Sequence, residues 1–251
     1  MNDDAGVTDD EAMASSRQSG VSSGRSSSPA GGGDGDTATD PAKAMDQMYR
    51  VTRHIYDFTR RYYLLGRDRM LERVVTTDDT ATLEVGCGTA RNLIRLARRP
   101  HHGHLYGLDA SHEMLETAAG SIRKAGVGEI VLRQGLAEQL DARKMFGREH
   151  GFDTIFFSYC LSMVPAWEGA IEAALDNLRP GGQMVIVDFW DQADLPRVFA
   201  AGLKKWLSLF HVFYRPDVHT ALTALGDSGR ADVSFESVAK RYAYIAIVSK
   251  R

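Results

Sequence analysis

The chain has 251 residues, of which 43% are hydrophobic and 25% are charged, with a formal net charge of −3. This is enough for one domain with a sizeable core and an appendage. No apolar run approaches the roughly 20 residues that span a bilayer, and two cysteines exclude a disulfide framework and a structural zinc site.

These features predict a protein of the reducing cytoplasm, without a secretory signal and without a bound metal. The sequence has no helix-turn-helix or zinc-finger spacing, so nucleic acid is not expected as a partner. Residues 1–42 are mainly Ser, Gly, Asp and Ala. Such a segment cannot bury enough surface to offset its ordering entropy, so we predict a disordered tail, either regulatory or dispensable. The predicted folded domain covers residues 43–251.

Charge is distributed unevenly between these two parts. The first 40 residues hold eight acidic and two basic residues, which leaves 28 bases and 25 acids for the rest of the chain. The predicted domain is therefore mildly basic, and the predicted tail is acidic.

Residues 43–75 have the spacing of one or two amphipathic helices. One predicted face is apolar and contains Ile55, Phe58, Tyr62 and Leu65. A neighbouring face contains Tyr56, Arg60, Tyr63 and Arg67. We interpret this second face as a lid over a ligand cleft, and half-exposed amphipathic side chains are the alternative. Gly66 is expected to end or bend the helix.

The most informative stretch lies between residues 81 and 109. A short apolar run, Ala81–Val85, ends on Gly86-Cys87-Gly88. A helical pattern follows, and a second apolar run, Leu105–Leu108, ends on Asp109. Strand, glycine turn, helix, strand and acid indicate the opening βαβ unit of a nucleotide-binding sheet. The glycines allow close approach of a ligand, and the carboxylate can accept hydrogen bonds from a ribose.

Two positions indicate which nucleotide is bound. A dinucleotide-binding turn requires a third glycine where this chain has Arg91. Glu84, two residues before the first glycine, would repel a pyrophosphate but suits a ligand with a cationic end. S-adenosylmethionine carries an ammonium, a sulfonium and a ribose, so we predict it as the cofactor. The string from Glu84 to Thr89 is similar to the first motif of class I methyltransferases, which usually have Gly where this chain has Ala90. An ordinary strand-turn-helix is the alternative.

Further elements are predicted beyond residue 110. The helices are His112–Lys124 (with Ser111 as N-cap), Trp167–Leu178 and Leu195–Phe213; the strands are Ile130–Arg133, Phe152–Ser158, Gln183–Phe189, Ala231–Glu236 and Tyr242–Val248. Arg179-Pro180-Gly181-Gly182 is expected to stop the second helix, and the last two strands are expected to pair at the sheet edge. The predicted fold is α/β: a Rossmann-like class I methyltransferase with a mostly parallel seven-stranded sheet, flanking helices and an N-terminal helical lid.

Similarity to that class implies where the cofactor binds. Class I methyltransferases commonly hold the adenine at the segment that corresponds here to residues 134–137. Asp109 is assigned to the ribose, with a helix cap as its alternative role, and Glu84 to the amino-acid end. The predicted cofactor-binding residues are Glu84, Gly86, Cys87, Gly88, Asp109, Ala110, Met114, Leu136, Ala137 and Ser158.

Several longer phrases occur in one order along the chain: Tyr63-Leu64-Leu65-Gly66-Arg67-Asp68-Arg69, Ser158-Tyr159-Cys160-Leu161-Ser162-Met163-Val164-Pro165, Val187-Asp188-Phe189 and Phe210-His211-Val212. Over roughly residues 47–248 they resemble the diacylglyceryl-homoserine N-methyltransferases, which finish bacterial betaine lipids. Trp190, where a small residue is expected, departs from that family. The resemblance implies a lipid substrate with an amine and a carboxylate in its headgroup, three methyl transfers, and an upstream enzyme that transfers the aminocarboxypropyl group.

The resemblance also suggests the substrate side of the site. The residues predicted at the reacting amine are Tyr159, Tyr63 and His211. The tyrosines would present aromatic faces to the cationic product, and the histidine would accept a proton. The residues predicted to bind the headgroup are Tyr56, Arg60 and Arg67. Two other functions stay open: a class I methyltransferase for another small molecule, such as a quinone precursor or a free amine, and a cofactor-binding protein without catalysis.

The N-terminal helical segment also predicts where the protein works. Residues 50–73 contain seven arginines against three acidic residues. Anionic lipid headgroups attract each exposed base by roughly 1 kcal/mol, and apolar side chains lie among these bases as in interfacial helices. We therefore expect peripheral binding to the inner face of the membrane. The competing interpretation is that the apolar side chains pack on the protein and the arginines are only solvated.

Overall fold

The computed structural model describes residues 64–194, Gly202 and residues 215–251. The predicted tail 1–42, the helices expected between residues 43 and 63 and, apart from Gly202, the helix expected over 195–213 lie outside the described residues. Four predicted site residues also lie outside them: Tyr56, Arg60, Tyr63 and His211. In the part of the chain that is described, no helix is long and apolar enough to cross a membrane.

Seven strands form a sheet in the order β3-β2-β1-β4-β5-β7-β6. They are β1 (Ala81–Val85), β2 (His104–Asp109), β3 (Ile130–Gln134), β4 (Phe152–Ser158), β5 (Leu178–Phe189), β6 (Ala231–Val238) and β7 (Ala243–Lys250). The first five strands are parallel, and β7 pairs antiparallel with β5 and β6. The predicted sheet is confirmed. Its order reverses between β1 and β4, and the carboxyl ends of strands at such a point border the usual ligand crevice of an open α/β sheet.

The helices of the described residues flank this sheet. They are α1 (Arg67–Arg73), α2 (Arg91–Ala97), α3 (His112–Ala125), α4 (Ala142–Phe146), α5 (Trp167–Asp176) and α6 (Pro216–Asp227). Gly66 begins α1 as its N-cap, where the sequence suggested the end or a bend of a helix. The sequence analysis did not identify α4 or α6, although the buried residues Val218, Leu222 and Leu225 have helical spacing.

The core has two layers, one on each face of the sheet, because successive side chains along a strand point to opposite faces. Ile155, Phe157 and Ile186 face the layer covered by α5 and α6. Phe156 and Val187 face the layer covered by α1, α2 and α3. All five side chains are fully buried, and each such burial stabilises the fold by about 1.5–3 kcal/mol. The central strands therefore give the crevice a rigid floor.

β5 begins five residues earlier than the sequence predicted. Leu178 pairs with Phe152, and Gln183 pairs with Thr154. Four residues, 179–182, thus stand opposite one residue of β4 and form a bulge, a feature that interrupts a ladder without ending the strand. The segment 179–182, which was expected to stop the helix, lies in this bulge within β5, so it does not separate the helix from the strand.

We expect a methyl group at Gly151, just before β4, to destabilise the fold. Gly151 has a φ of +70°, and a Cβ atom there would lie 2.4 Å from the carbonyl oxygen of Asn177. Gly147 provides the control, because its φ is +66° but a Cβ atom there meets no heavy atom within 4 Å beyond its chain neighbours. An L residue in this conformation costs about 1 kcal/mol. Gly151→Ala should lower the free energy of unfolding by about 2 kcal/mol more than Gly147→Ala, because overpacking adds to that cost. Urea unfolding measures both losses, and equal losses would contradict the packing described.

Candidate functional site

A cleft of about 440 Å³ opens at the carboxyl ends of β1 and β4. Its lining residues are Leu64, Arg67, Glu84, Gly86, Cys87, Gly88, Thr89, Arg91, Asn92, Thr117, Ser121 and Ser158. Six of them were predicted from the sequence: Arg67, Glu84, Gly86, Cys87, Gly88 and Ser158. A wider hollow of about 670 Å³ adjoins the cleft along α2. We assign the site to the cleft because it contains the glycine turn and the end of β4.

The turn after β1 has left-handed backbone at alternate positions: Gly86 (φ +70°), Gly88 (φ +52°) and Ala90 (φ +61°). A Cβ atom on Gly86 would lie 2.4 Å from the Sγ atom of Cys160, so the turn lies directly against the segment after β4. The N–H groups of Gly86 and Cys87 both donate to the carbonyl oxygen of Leu108, at 2.8 and 3.0 Å. Ala90 is buried and adopts the conformation that favours glycine, which the similar family motif usually has there.

Asp109, the acid at the end of β2, holds the glycine turn in place. It is 8% exposed. One carboxylate oxygen accepts a hydrogen bond from the N–H of Gly88 at 2.7 Å, and the other accepts from the N–H of Ser111 at 2.9 Å. The contact with Gly88 was not predicted, because it joins residues 21 positions apart. The contact with Ser111 is an Asp-to-backbone bond two residues on, which the sequence could have indicated.

Glu84 is the second buried acid, and it is 2% exposed at the end of β1. Its Oε1 atom accepts a hydrogen bond from the Nδ2 atom of Asn92 at 2.7 Å. Asn92 is itself buried and lines the cleft, but sequence reasoning missed it because Asn has no distinctive spacing on a short helix. The negative charge of this buried carboxylate attracts a ligand with a cationic end.

The N-terminal segment contributes Leu64 and Arg67 to the cleft, and α1 is tied to the rest of the domain. Asp68 pairs with Arg91 of α2 at 3.2 Å. Arg99 donates to two backbone carbonyl groups at the end of α1, at 2.6 and 3.0 Å. Arg67 therefore projects from a helix that is anchored at both ends. These contacts fix its position beside the cleft.

Ser158 ends β4 and Tyr159 follows it, and the two residues have different surroundings. The hydroxyl of Ser158 is buried and has no hydrogen-bond partner among the described residues, and the residue lines the cleft. Tyr159 is 2% exposed, and its hydroxyl donates to the carbonyl oxygen of Leu65 at 2.5 Å. Its backbone has a φ of +55°, and its predicted place at the reacting amine stays a prediction.

The remaining four predicted cofactor-binding residues lie near the carboxyl ends of β2 and β3 and, like Asp109, are not among the residues that line the cleft. They are Ala110, Met114, Leu136 and Ala137. The carbonyl oxygen of Ala110 accepts a hydrogen bond from the Nε2 atom of Gln134 at 3.0 Å, while Met114 and Ala137 are buried. Their assignment to the adenosine stays a prediction.

Two potential proton acceptors or nucleophiles beside the cleft are neutral at physiological pH. Burial, together with the negative charges of Asp109 and Glu84, raises the pKa of the Cys87 thiol well above its usual value. Burial also raises the pKa of the Tyr159 hydroxyl. A protonated thiol is a poor nucleophile, so the cleft has no activated cysteine. Among residues 64–194 and 215–251, no group of three or more His, Cys, Asp or Glu side chains could hold a metal ion.

Asp188 supports the segment after β4 from the end of β5. One carboxylate oxygen accepts from the N–H of Ser162 at 3.0 Å, and the other accepts from the N–H of Phe189 at 2.8 Å. Burial raises the pKa of Asp188 to about 6, against the lowering effect of these hydrogen bonds. The residue therefore links the end of β5 to the segment after β4 and titrates near neutral pH.

Comparison with known proteins identifies the kind of domain. Residues 76–229 match a family model described as a methyltransferase domain. A phosphatidylethanolamine N-methyltransferase of Cereibacter sphaeroides is 30% identical over 157 residues, which is 62% of this chain and 72% of that protein. A demethylmenaquinone methyltransferase of Geobacillus kaustophilus is 29% identical over 129 residues, 51% of this chain and 53% of that protein. The chain thus spans about half the length of the latter relative.

Solved structures share the fold. A SAM-dependent methyltransferase from Aquifex aeolicus superposes with a TM-score of 0.55 and 18% identity, covering 85% of this chain and 100% of that one. Haemonchus contortus phosphoethanolamine N-methyltransferase 2, solved in complex with S-adenosyl-L-methionine, has a TM-score of 0.65 and 13% identity, covering 85% of this chain and 60% of that one.

The cleft fits S-adenosylmethionine. Glu84 supplies a buried carboxylate suited to the cationic amino-acid end. Asp109 lies at the end of β2 and bonds the glycine turn, and a carboxylate accepts hydrogen bonds of the kind a ribose hydroxyl donates. The hydroxyl of Ser158 needs a partner, since a buried polar group is stabilised by a hydrogen bond.

We expect Asp109→Ala to weaken S-adenosylmethionine binding about tenfold or more, because a hydrogen bond to a charged group is worth about 1.5–3 kcal/mol. Asp141→Ala is the matched control: this carboxylate also accepts a backbone N–H, that of Lys144 at 2.9 Å, but it caps α4, whereas Asp109 bonds the glycine turn. Calorimetric titration of both variants, after thermal melts show that they are folded, measures the effect. Equal affinities for the two variants would remove Asp109 from the cofactor site.

Asp188 predicts a pH dependence of stability. Its folded pKa of about 6 lies above the ordinary value of 3.8, so the folded state binds more protons between these pH values. The stability contributed by this group is complete below pH 3.8 and is lost as the pH rises through about 6. The free energy of unfolding of the wild type should fall by roughly 1 kcal/mol, relative to Asp188→Asn, between pH 5 and pH 7. Urea titrations at both pH values test this, and parallel behaviour of the two proteins would contradict it.

Proposed function

Because the chain belongs to the class I S-adenosylmethionine-dependent methyltransferases, we propose that it methylates the amine of a lipid headgroup. The proposed substrate is diacylglyceryl-homoserine, converted by three methyl transfers to the trimethylated betaine lipid. One observation carries the proposal. The two most specific phrases of the family resemblance, around residues 63–69 and 158–165, contribute Leu64, Arg67 and Ser158 to the same cleft.

The chemistry assigned to the protein is orientation. When bound, the cofactor supplies an electrophilic methyl group on a sulfonium. The carboxylates of Glu84 and Asp109 are held in fixed positions near the ends of β1 and β2, since both are buried and hydrogen-bonded within the protein. Holding the reacting groups in line can be worth roughly 7 kcal/mol or more. The amine must lose its proton before each transfer, and water or His211 is the proposed acceptor.

Arg67 is the proposed partner of the headgroup carboxylate. It lines the cleft beside the cofactor motif, and a guanidinium binds a carboxylate through two parallel hydrogen bonds. Tyr56, Arg60 and Tyr63 complete the proposed headgroup site, with the aromatic faces attracting the quaternary ammonium of the product.

Phosphatidylethanolamine is the second candidate substrate. The relative from Cereibacter sphaeroides, 30% identical, favours it. Its headgroup has the same primary amine but a phosphate in place of the carboxylate, and an arginine can pair with either anion. A quinone precursor is a further alternative, supported by the similarity to demethylmenaquinone methyltransferases.

We also propose that the enzyme binds the inner, cytoplasmic face of the membrane peripherally, because a diacyl substrate stays in the bilayer. Leu65 and Val75 flank α1 and are 40% and 60% exposed. Arg69 and Arg73 lie between them and remain about half exposed, although both pair with Glu236. Exposed apolar and basic side chains on one short stretch are typical of interfacial segments. The upstream aminocarboxypropyl-transferring enzyme would deliver the substrate to the same surface.

The substrate is tested with full-length protein, S-adenosylmethionine and anionic vesicles that contain diacylglyceryl-homoserine, phosphatidylethanolamine or demethylmenaquinone. We expect mass increases of one, two and three methyl groups on diacylglyceryl-homoserine, and a slower reaction on the other lipids. Sedimentation of the same vesicles should carry the protein down at low salt and less at high salt, because salt screens charge attraction. Asp109→Ala serves as the control for cofactor-dependent product.

The other outcomes separate the alternatives. Methylated phosphatidylethanolamine without methylated homoserine lipid would establish the second candidate. A methylated quinone alone would establish the third, and cofactor binding without any product would indicate a binding protein. Protein that stays in the supernatant at low salt, with the homoserine lipid present, would contradict the membrane proposal.

A further inference from the structure

Tyr159 has an unusual backbone conformation for an aromatic residue. Its φ is +55°, in the left-handed region that bulky side chains rarely adopt. Its N–H donates to the carbonyl oxygen of Val187 at 2.8 Å, which keeps the residue in the sheet's hydrogen-bond pattern. Strained positions of this kind persist only where the surrounding structure fixes them, and they cluster at functional sites.

The side chain of Tyr159 is buried in the protein. The ring packs on Phe189, with ring centroids 4.6 Å apart. The hydroxyl donates to the carbonyl oxygen of Leu65, 94 residues away in sequence. Because burial raises the pKa of this hydroxyl, it stays protonated and remains a donor at neutral pH.

The hydrogen bond from Tyr159 affects the cleft because Leu65 lies between two residues that line it. Its neighbour Leu64 lines the cleft, as does Arg67 two residues later. Between Leu65 and Arg67, Gly66 begins α1 with a φ of +81°, and a Cβ atom there would lie 3.0 Å from Val238. The backbone of this short segment is therefore held close to the sheet on one side and by the tyrosine hydroxyl on the other.

We propose that Tyr159 is a positioning residue: its hydroxyl holds the Leu65 carbonyl and thereby fixes Leu64 and Arg67 as the N-terminal side of the cofactor cleft. The contact joins the end of β4 to the segment that enters the domain before α1. The hydrogen bond from Tyr159, which follows β4, thus fixes the position of the N-terminal side of the cleft. This proposal rests on the assignment of the cleft to the cofactor, and it does not depend on which substrate is methylated.

The test uses Tyr159→Phe, which keeps the ring and removes only the hydroxyl. Tyr106→Phe is the matched control, because the Tyr106 hydroxyl accepts a hydrogen bond from Arg148 at 3.2 Å, and Arg148 has no neighbour in sequence that lines the cleft. Hydrogen exchange of residues 64–71 and the S-adenosylmethionine Kd are measured for both variants and the wild type. In Tyr159→Phe we expect exchange in this segment and the Kd each to rise about fivefold, the effect of one hydrogen bond. Tyr106→Phe should change neither by as much as twofold.

Two results would overturn the proposal. If Tyr159→Phe melts at a lower temperature but keeps the wild-type exchange and Kd, the hydroxyl stabilises the core and does not position the cleft. If turnover falls while exchange and Kd stay unchanged, Tyr159 contacts the substrate, as the sequence first suggested. A wild-type protein that does not bind S-adenosylmethionine would instead reject the cofactor assignment, so that failure is distinguishable from failure of this inference.

Discussion

The cleft depends on the carboxylate of Asp109, which joins the end of β2 to the glycine turn after β1. Its bonds to the N–H groups of Gly88 and Ser111 are charge-assisted, and such bonds are about twice as strong as neutral ones. The bond to Gly88 holds the turn against the end of β2. The same turn is bonded to the carbonyl of Leu108, so three contacts with one strand define the cofactor side of the site.

Electrostatics gives this geometry its selectivity. Glu84 and Asp109 place two buried carboxylates near the ends of adjacent strands, and their charges help to keep the Cys87 thiol protonated. The same field disfavours an anionic ligand at the turn and favours a cationic one. Arg67 and Arg91 line the cleft as well, and the pair between Arg91 and Asp68 connects α2 to α1. The cleft therefore combines an acidic interior with basic residues from its bordering helices, which suits a cationic cofactor and an anionic headgroup.

Most of the fold and the cofactor motif could be predicted from the sequence because their signals are local. Apolar runs mark β1, β2 and β4, and the glycine turn with its two acids lies within 26 residues. The start of β5 could not be predicted, because the bulge at residues 179–182 depends on pairing with β4. Asn92 and the packing of Tyr159 were missed for the same reason: each depends on a partner that only the folded chain brings near. The sequence suggested a substrate contact for Tyr159, and the hydrogen bond from its hydroxyl to Leu65 is a separate feature that depends on the folded chain.

The most direct test of the account is a crystal structure of the protein with S-adenosylhomocysteine, the demethylated form of the cofactor. The account predicts electron density for this ligand in the cleft at the ends of β1 and β4, with a ribose hydroxyl within hydrogen-bonding distance of Asp109. The amino-acid end should lie beside Glu84 and the glycine turn. Density at another place on the domain, or a ribose that contacts neither carboxylate, would contradict the assignment of this cleft as the cofactor site.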